Sequence, residues 1–178
     1  MSNRAKKFEN NIRQFEPMSR HSSWRCGGVA DFFFQPQRVD ELSSFLREKN
    51  DCVEIIWLGL GSNLLVRDGG FKGFVVSTTK ALREIIWGDE NKSLYVQSGV
   101  SCAKVAREAA AKNRKGLEFL VGIPGTIGGA LRMNAGALGF EIWDFVEEVE
   151  TIDSLGNIKV QKKTEFTPCY RDVRGPAR

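Results

Sequence analysis

The chain is short of the groups that metal sites and membrane spans require. Its 178 residues include one histidine, His21, and four cysteines, Cys26, Cys52, Cys102 and Cys169, spread far apart with no CxxC among them. Zinc-ligand spacing is therefore absent, and no metal site is expected. No apolar run approaches the ~18 residues of a membrane helix, and the N-terminus lacks the apolar stretch of ~7–15 residues found in a secretion signal. Isolated thiols without such a signal point to a reducing cytoplasm and no membrane partner. Internal repeats and low-complexity tracts are also missing, which excludes solenoids and disordered linkers.

What is present is ordinary for a soluble globular chain: 42% hydrophobic and 27% charged residues. The net charge of +4 gathers at the start, where Arg4, Lys6, Lys7, Arg13, Arg20 and Arg25 face only Glu9 and Glu16. This reads as a solvated arm rather than a nucleic-acid surface. It also raises the local concentration of an anionic ligand, a field effect independent of fold.

Residues 1 to 20 form an arm or short helix by spacing, since Phe8, Ile12 and Phe15 recur helically and Pro17 closes the pattern. Phe32 to Phe34 make a strand-like run, and Val39, Leu42, Phe45 and Leu46 share one face of a helix. Ile55 to Trp57 is a short buried strand, Asp68-Gly69-Gly70 a turn, and Phe74 to Val76 a further strand. A second unit opens with strands Ile85 to Trp87 and Leu94 to Gln97, joined through Gly88-Asp89-Glu90-Asn91. Ser101 is placed to cap a helix whose apolar face is Cys102, Val105, Ala106 and Ala109. Val146 to Ile152 and Ile158 to Val160 then pair as a hairpin about Ser154 to Asn157. The result is an α+β pattern in two small lobes, with a ligand site expected between them.

Two glycine loops carry the chemistry. In Gly59-Leu60-Gly61-Ser62-Asn63-Leu64-Leu65-Val66, glycines let backbone approach a ligand, and successive amides can form a nest for phosphate. Alone, GxGSN also fits a plain tight turn. It is neither GxGxxG nor GxxxxGK[ST], so it is not a Rossmann or P-loop signature. The second loop lies in a segment from Gly116 to Gly139 that holds seven of the chain's 18 glycines. There Gly122-Ile123-Pro124-Gly125-Thr126-Ile127-Gly128-Gly129-Ala130 runs into Met133-Asn134-Ala135-Gly136-Ala137. Gly128-Gly129-Ala130 clears side chains from where a flat ring or pyrophosphate could lie, although small residues also allow two protein segments to approach.

The ordered set Ser22-Ser23-Trp24-Arg25-Cys26-Gly27-Gly28, GLGSNLLV, Gly116-Leu117-Glu118-Phe119 running into GIPGTIGGALRMNAGALG, and Tyr170-Arg171 resembles UDP-N-acetylenolpyruvoylglucosamine reductases. The match runs in order along nearly the whole chain, and GIPGT with MNAG is its most specific part. The resemblance implies a two-lobed FAD-binding fold of the p-cresol methylhydroxylase (PCMH) type, with an arm to residue 20 and lobes over 21–80 and 81–178. It also implies that Gly59, Gly61, Ser62 and Asn63, with Leu64 beside them, hold the pyrophosphate of FAD. Gly122, Ile123, Pro124, Gly125, Thr126 and Gly129 would line the flavin, and Asn134, Ala135 and Gly136 complete the cofactor set. The implied chemistry passes hydride from NADPH through FAD to the enolpyruvyl group of UDP-N-acetylenolpyruvoylglucosamine, giving UDP-N-acetylmuramate for the cell wall. Arg171 matches the family's active-site arginine, with Tyr170 beside it at the substrate. On composition alone, Arg171 reads as a surface residue.

The family continues into a third domain that binds the UDP-sugar and supplies a serine proton donor and a late glutamate. Nothing after Tyr170 resembles it, and Asp172-Val173-Arg174 departs from the small hydroxyl residues expected there. The chain thus reads as the FAD-binding part, with the C-terminal substrate domain missing and no turnover alone. Alternatives are a noncatalytic flavin-binding module or remnant, and another oxidase of the same fold. Nothing in the sequence sets an oligomeric state.

Overall fold

The structure, a computed structural model, describes residues 11–49, 52–89 and 92–176. It divides into two compact units. The first runs up to Leu82 and includes Asp153–Asn157; the second is Arg83–Ile152 with the chain from Ile158 onward.

In the first unit, strands β1 (Ile12–Pro17), β2 (Val29–Phe34), β3 (Ile55–Leu58) and β4 (Phe71–Ser77) form one sheet in the order β1-β2-β4-β3. β1 is antiparallel to β2, while β2 and β3 both run parallel to β4. β4 advances from Phe71 to Phe74 while β2 advances only from Ala30 to Phe32, so the register shifts there. Helix α1 (Val39–Glu48) carries Asp40 and Glu41 in its first turn and Arg47 in its last, which suits the helix dipole. Its buried Leu42, Phe45 and Leu46 belong to the face predicted by spacing, whose fourth member, Val39, is half-buried. Phe45 meets Phe34 at 4.3 Å and Phe74 edge-on at 4.9 Å, so α1 covers that side of the sheet. A second cluster joins Phe33, Val75, Met18, Leu58 and Val66. Burying each such phenylalanine is worth roughly 1.5–3 kcal/mol. The turn 153–157 belongs here too, since Ser43 Oγ donates to the Gly156 carbonyl at 2.6 Å.

The strand β1 corrects the arm or short helix expected for residues 1 to 20. Phe15 is 70% exposed with φ of 52°, so the Ile12–Phe15 spacing marks no buried stripe. Backbone pairing with β2 decides the conformation instead. Phe8 of that pattern lies outside the described residues, as do Glu90 and Asn91 of the expected turn.

The second unit is built around α2 (Cys102–Ala111), with Ser101 Oγ accepting from the Lys104 amide as its predicted cap. Hairpins β5 (Ile85–Trp87) with β6 (Leu94–Val96), and β9 (Glu148–Ile152) with β10 (Ile158–Lys162), are antiparallel as expected. The glycine-rich segment, however, is not all loop. It contains α3 (Ile127–Arg132) and the short pair β7 (Gly136–Ala137) with β8 (Phe140–Glu141). An unanticipated hairpin, β11 (Thr167–Cys169) with β12 (Asp172–Arg174), follows. Val100, Cys102, Val105, Phe119, Leu120, Ile123, Ile127, Ala130, Ile142 and Trp143 make the core. Trp143 also donates from Nε1 to the Leu131 carbonyl at 2.9 Å, so its polar edge is satisfied where its ring is buried.

Candidate functional site

In the first unit, the loop after β3 borders a cavity of about 250 Å³. Gly59 and Leu60 line it with His21, Ser22, Ser77 and Thr79. His21 stacks on Phe33 at 4.2 Å and its Nε2 lies 2.7 Å from Glu16 Oε1, a buried carboxylate that also meets Arg13 at 3.3 Å. The imidazole is thereby fixed at the cavity wall. Gly61, in contrast, is buried with φ of +71°, and a Cβ there would stand 1.8 Å from the His21 carbonyl oxygen. Its carbonyl accepts from the Ser23 amide at 3.0 Å. Gly61 is thus required by the close pass of residues 21–23. Asn63 is exposed, and Ser62 and Leu64 are half-buried.

In the second unit, Thr126 is 2% exposed and caps α3, its Oγ1 accepting from the Gly129 amide at 3.4 Å. The segment is pinned by backbone bonds from Cys102 N to Gly125 O at 3.0 Å, Ile127 N to Val100 O at 2.8 Å and Gly128 N to Ser98 O at 2.9 Å. Ile123 and Ile127 anchor it in the core. Gly128 is tight against the protein, with a Cβ 2.8 Å from Ser98 Cβ. Gly129 is different: it is exposed, and a Cβ would meet only Thr126 Oγ1, at 3.7 Å, among the described residues. Gly122, Pro124 and Gly136 are exposed as well. The outcome is a rigidly held stretch of backbone with little side chain on its open face.

Asn134 and Ala135 follow α3. Asn134 is 6% exposed and takes φ of 42°, a left-handed conformation that asparagine tolerates. Its Nδ2 donates to Glu141 Oε2 at 2.7 Å and to the Cys169 carbonyl at 3.4 Å, while the buried Oδ1 has no partner among the described residues. Flipping the amide would aim that oxygen at two acceptors, so the orientation is fixed. An unmet buried acceptor costs about 1–3 kcal/mol.

The bond to Cys169 brings Asn134 next to the two-residue turn of β11 and β12, formed by Tyr170 and Arg171. Tyr170 is 86% exposed, and Arg171 sits at φ of 56° with its guanidinium 5.6 Å from the Tyr170 ring centre. A left-handed arginine costs roughly 1–2 kcal/mol, and such outliers concentrate at functional sites. Arg132 on α3 pairs with Asp172 at the turn's base. The hydrogen bond from Arg132, then that from the Val173 amide, holds the Asp172 carboxyl below its usual range. Within this unit, the structure thus joins Asn134, Tyr170 and Arg171 into one neighbourhood. His21, Ser22, Ser77, Thr79 and Glu141 were not among the expected site residues. They are scattered along the sequence, and only the contacts reveal them.

A family model described as "FAD binding domain" matches residues 30–161. The chain belongs to the FAD binding domain family. This FAD binding domain is 47% identical over 163 residues to a UDP-N-acetylenolpyruvoylglucosamine reductase of Methylococcus capsulatus, covering 92% of the chain and 53% of that protein. Among solved structures, the reductase of Thermus caldophilus is similar with a TM-score of 0.72 at 28% identity, covering 90% of this chain and 56% of that one. The 6-hydroxy-D-nicotine oxidase of Arthrobacter nicotinovorans shares the fold, with a TM-score of 0.62 at 14% identity over 86% of this chain and 36% of that one. These similarities bear out the reductase resemblance and the expected α+β fold of the PCMH type. The chain spans about half the length of the curated relatives it matches.

Proposed function

We propose that this chain is the FAD-binding part of a cytoplasmic reductase that uses NADPH to convert UDP-N-acetylenolpyruvoylglucosamine to UDP-N-acetylmuramate in peptidoglycan synthesis. The observation that carries the reading is the exposed, side-chain-poor backbone at Gly122, Pro124 and Gly129. A flat ring with polar edges fits such a surface. FAD, when bound, supplies the hydride relay from NADPH to the enolpyruvyl double bond.

The chain's residues divide the remaining work. Gly59, Ser62, Asn63 and Leu64 hold the pyrophosphate, and Gly61 shapes their turn. Gly122, Ile123, Pro124, Gly125, Thr126, Gly129, Asn134, Ala135 and Gly136 seat the ring, with Ile123 and Thr126 fixing the backbone from beneath. Tyr170 and Arg171 face the substrate. A guanidinium stays charged and can grip a carboxylate bidentately, so Arg171 stabilises negative charge as it builds on the substrate. The Arg132–Asp172 pair and the bond from Asn134 to Cys169 hold the turn in place.

The test begins with adding FAD to the folded chain and recording the visible spectrum of retained flavin. A folded sample that retains none overturns the assignment. Flavin that binds tightly but never oxidises NADPH, even in a protein carrying a substrate domain, identifies a binding module instead. In that longer protein, Arg171→Ala slows reoxidation by substrate on the order of 10²- to 10³-fold and spares reduction by NADPH.

A further inference from the structure

The cavity of about 250 Å³ in the first unit lies where a parallel sheet receives ligands. Its wall includes Gln35 just after β2, Leu58 at the end of β3 and Ser77 at the end of β4. Those strands run parallel, so their carboxyl ends share one edge, and ligands of open parallel sheets bind outside that edge. Its volume falls short of the ~300–1,000 Å³ that take a drug-sized ligand whole, so it holds a part of one. The wall selects which part. Arg20 lines it, is exposed, and pairs with no acid among the described residues. No aspartate or glutamate is among the described lining residues, so that positive charge stands uncancelled there. Ser77 and Thr79 share a hydrogen bond of 2.9 Å, which uses one of their two hydroxyl hydrogens and leaves the other to give. Among the described residues, the amides of Gly59 and Leu60 meet no acceptor either. A cation beside spare donors suits an anion.

We propose that this cavity takes the diphosphate of a nucleotide, with Arg20 as the binding charge and His21 as the residue that positions it. The site deepens the assignment of Gly59, Ser62, Asn63 and Leu64 to the pyrophosphate of FAD, and its choice of nucleotide rests on that assignment. A diphosphate carries negative charge on both phosphoryl groups, and GLGSNLLV from Gly59 to Val66 contains no cationic side chain to meet it. Arg20 supplies what the glycine loop lacks. His21 holds that residue in place: its ring stacks on Phe33 and its Nε2 meets the buried Glu16, which anchors residues 20–23 against β1 and β2. The same stretch is tied to the loop, where the Ser23 amide donates to the Gly61 carbonyl at 3.0 Å. The sequence hid this wall, because Arg20 reads there as one charge of a solvated arm. FAD and UDP carry the same diphosphate, so both serve as probes.

Dissociation constants of the 178-residue chain and its variants for inorganic pyrophosphate, UDP, FAD and riboflavin, from calorimetry and flavin fluorescence, test this without turnover. Arg20→Gln should weaken pyrophosphate and FAD on the order of tenfold and leave riboflavin, which has no phosphate, within about twofold. Arg20→Lys should restore part of the loss, because the charge stays and the planar fork goes. Added salt should weaken FAD binding more steeply in the wild type than in Arg20→Gln. His21→Phe keeps the stack on Phe33 and drops the bond to Glu16, so FAD should lose affinity relative to riboflavin. His21→Gln, whose amide can still donate to Glu16, should lose less. Circular dichroism confirms folding, and should a His21 variant fail to fold, Arg20→Gln carries the comparison. FAD that responds to Arg20→Gln while UDP does not supports the site and assigns it to the cofactor; the reverse supports it and assigns it to a sugar nucleotide. Arg20→Gln that binds FAD, UDP and pyrophosphate as tightly as the wild type overturns the inference and leaves the flavin seat at residues 122–136 standing. A folded chain that binds pyrophosphate through Arg20 yet retains neither flavin overturns the FAD assignment and leaves the inference in place.

Discussion

The two glycine loops look alike in sequence and differ in what their glycines face. At Gly61 in the first unit, the missing side chain is filled by protein, with the His21 carbonyl 1.8 Å from where Cβ would be. At Gly129 in the second, a Cβ would find only Thr126 Oγ1, at 3.7 Å, among the described residues. Gly128, one residue away, is again closed off by Ser98. A glycine-rich string therefore mixes positions that the fold demands with positions left bare toward a ligand. Substitution separates the two classes, because the first costs stability and the second costs binding.

The largest effect is expected at Gly61. Gly61→Ala adds a left-handed penalty and a backbone clash, together roughly 3 kcal/mol or more. Urea unfolding should show a matching loss in the first unit's transition. An unchanged midpoint would mean that residues 21–23 can move away, and the contrast between the loops would collapse.

Next in size is the framework that holds the open segment. Cys102 is fully buried, and its amide donates to the Gly125 carbonyl at 3.0 Å. Burial pushes its thiol up to about 11. A raised value means that the folded state favours the neutral thiol, so this stability is complete below the unfolded thiol's pKa and lost as pH rises through the folded one. Between about pH 9 and 11, the second unit should lose on the order of 2–3 kcal/mol that Cys102→Ala does not lose. Equal alkaline slopes for both proteins, measured by denaturation at stepped pH, would count against it. The exposed Cys26, Cys52 and Cys169 should meanwhile react readily with a thiol reagent, while Cys102 reacts only on unfolding.

How much of this could be read from the sequence depends on the range of the signal. The α1 face at Leu42, Phe45 and Leu46, the Ser101 cap and the hairpin of β9 and β10 rest on short local patterns, and these emerged as expected. β1 did not, because Ile12 to Pro17 is extended by pairing with β2 and not by its own residues. α3 hid behind Gly128 and Gly129, poor helix formers that are held in place by Ser98 and the Thr126 cap. The residues proposed to seat the cofactor in the glycine strings were visible as motifs. The state of Asn134 was not, since its orientation comes from Glu141 and from Cys169, 35 residues away.

Gly129→Val then addresses the bare class directly. Stability should change by less than about 0.5 kcal/mol, because valine and glycine are similarly poor in helices and none of the described residues crowds the position. FAD affinity should fall on the order of tenfold or more, as a branched side chain intrudes on the surface assigned to the ring. A variant that kept its affinity while staying folded would show that the ring lies elsewhere.

The smallest effect is expected where a solvent-exposed pair borders the same region. Arg132 and Asp172 join α3 to the base of the Tyr170–Arg171 turn, and both side chains remain well exposed. Water and salt screen such a pair, so its loss should change stability less than any substitution above. Its pH dependence is still diagnostic. Arg132 holds the Asp172 carboxyl below its usual 3.8, so the folded state favours the charged form. The stabilisation is present above the unfolded carboxylate's pKa and fades as pH falls through the lower folded value. Asp172→Asn should therefore be slightly less stable than the wild type at neutral pH, with the gap closing toward the acid end of the range. Raising salt at neutral pH should close it too. A gap that widened on acidification would mean that Asp172 is better accommodated protonated, and that Arg132 does not hold the turn through its charge.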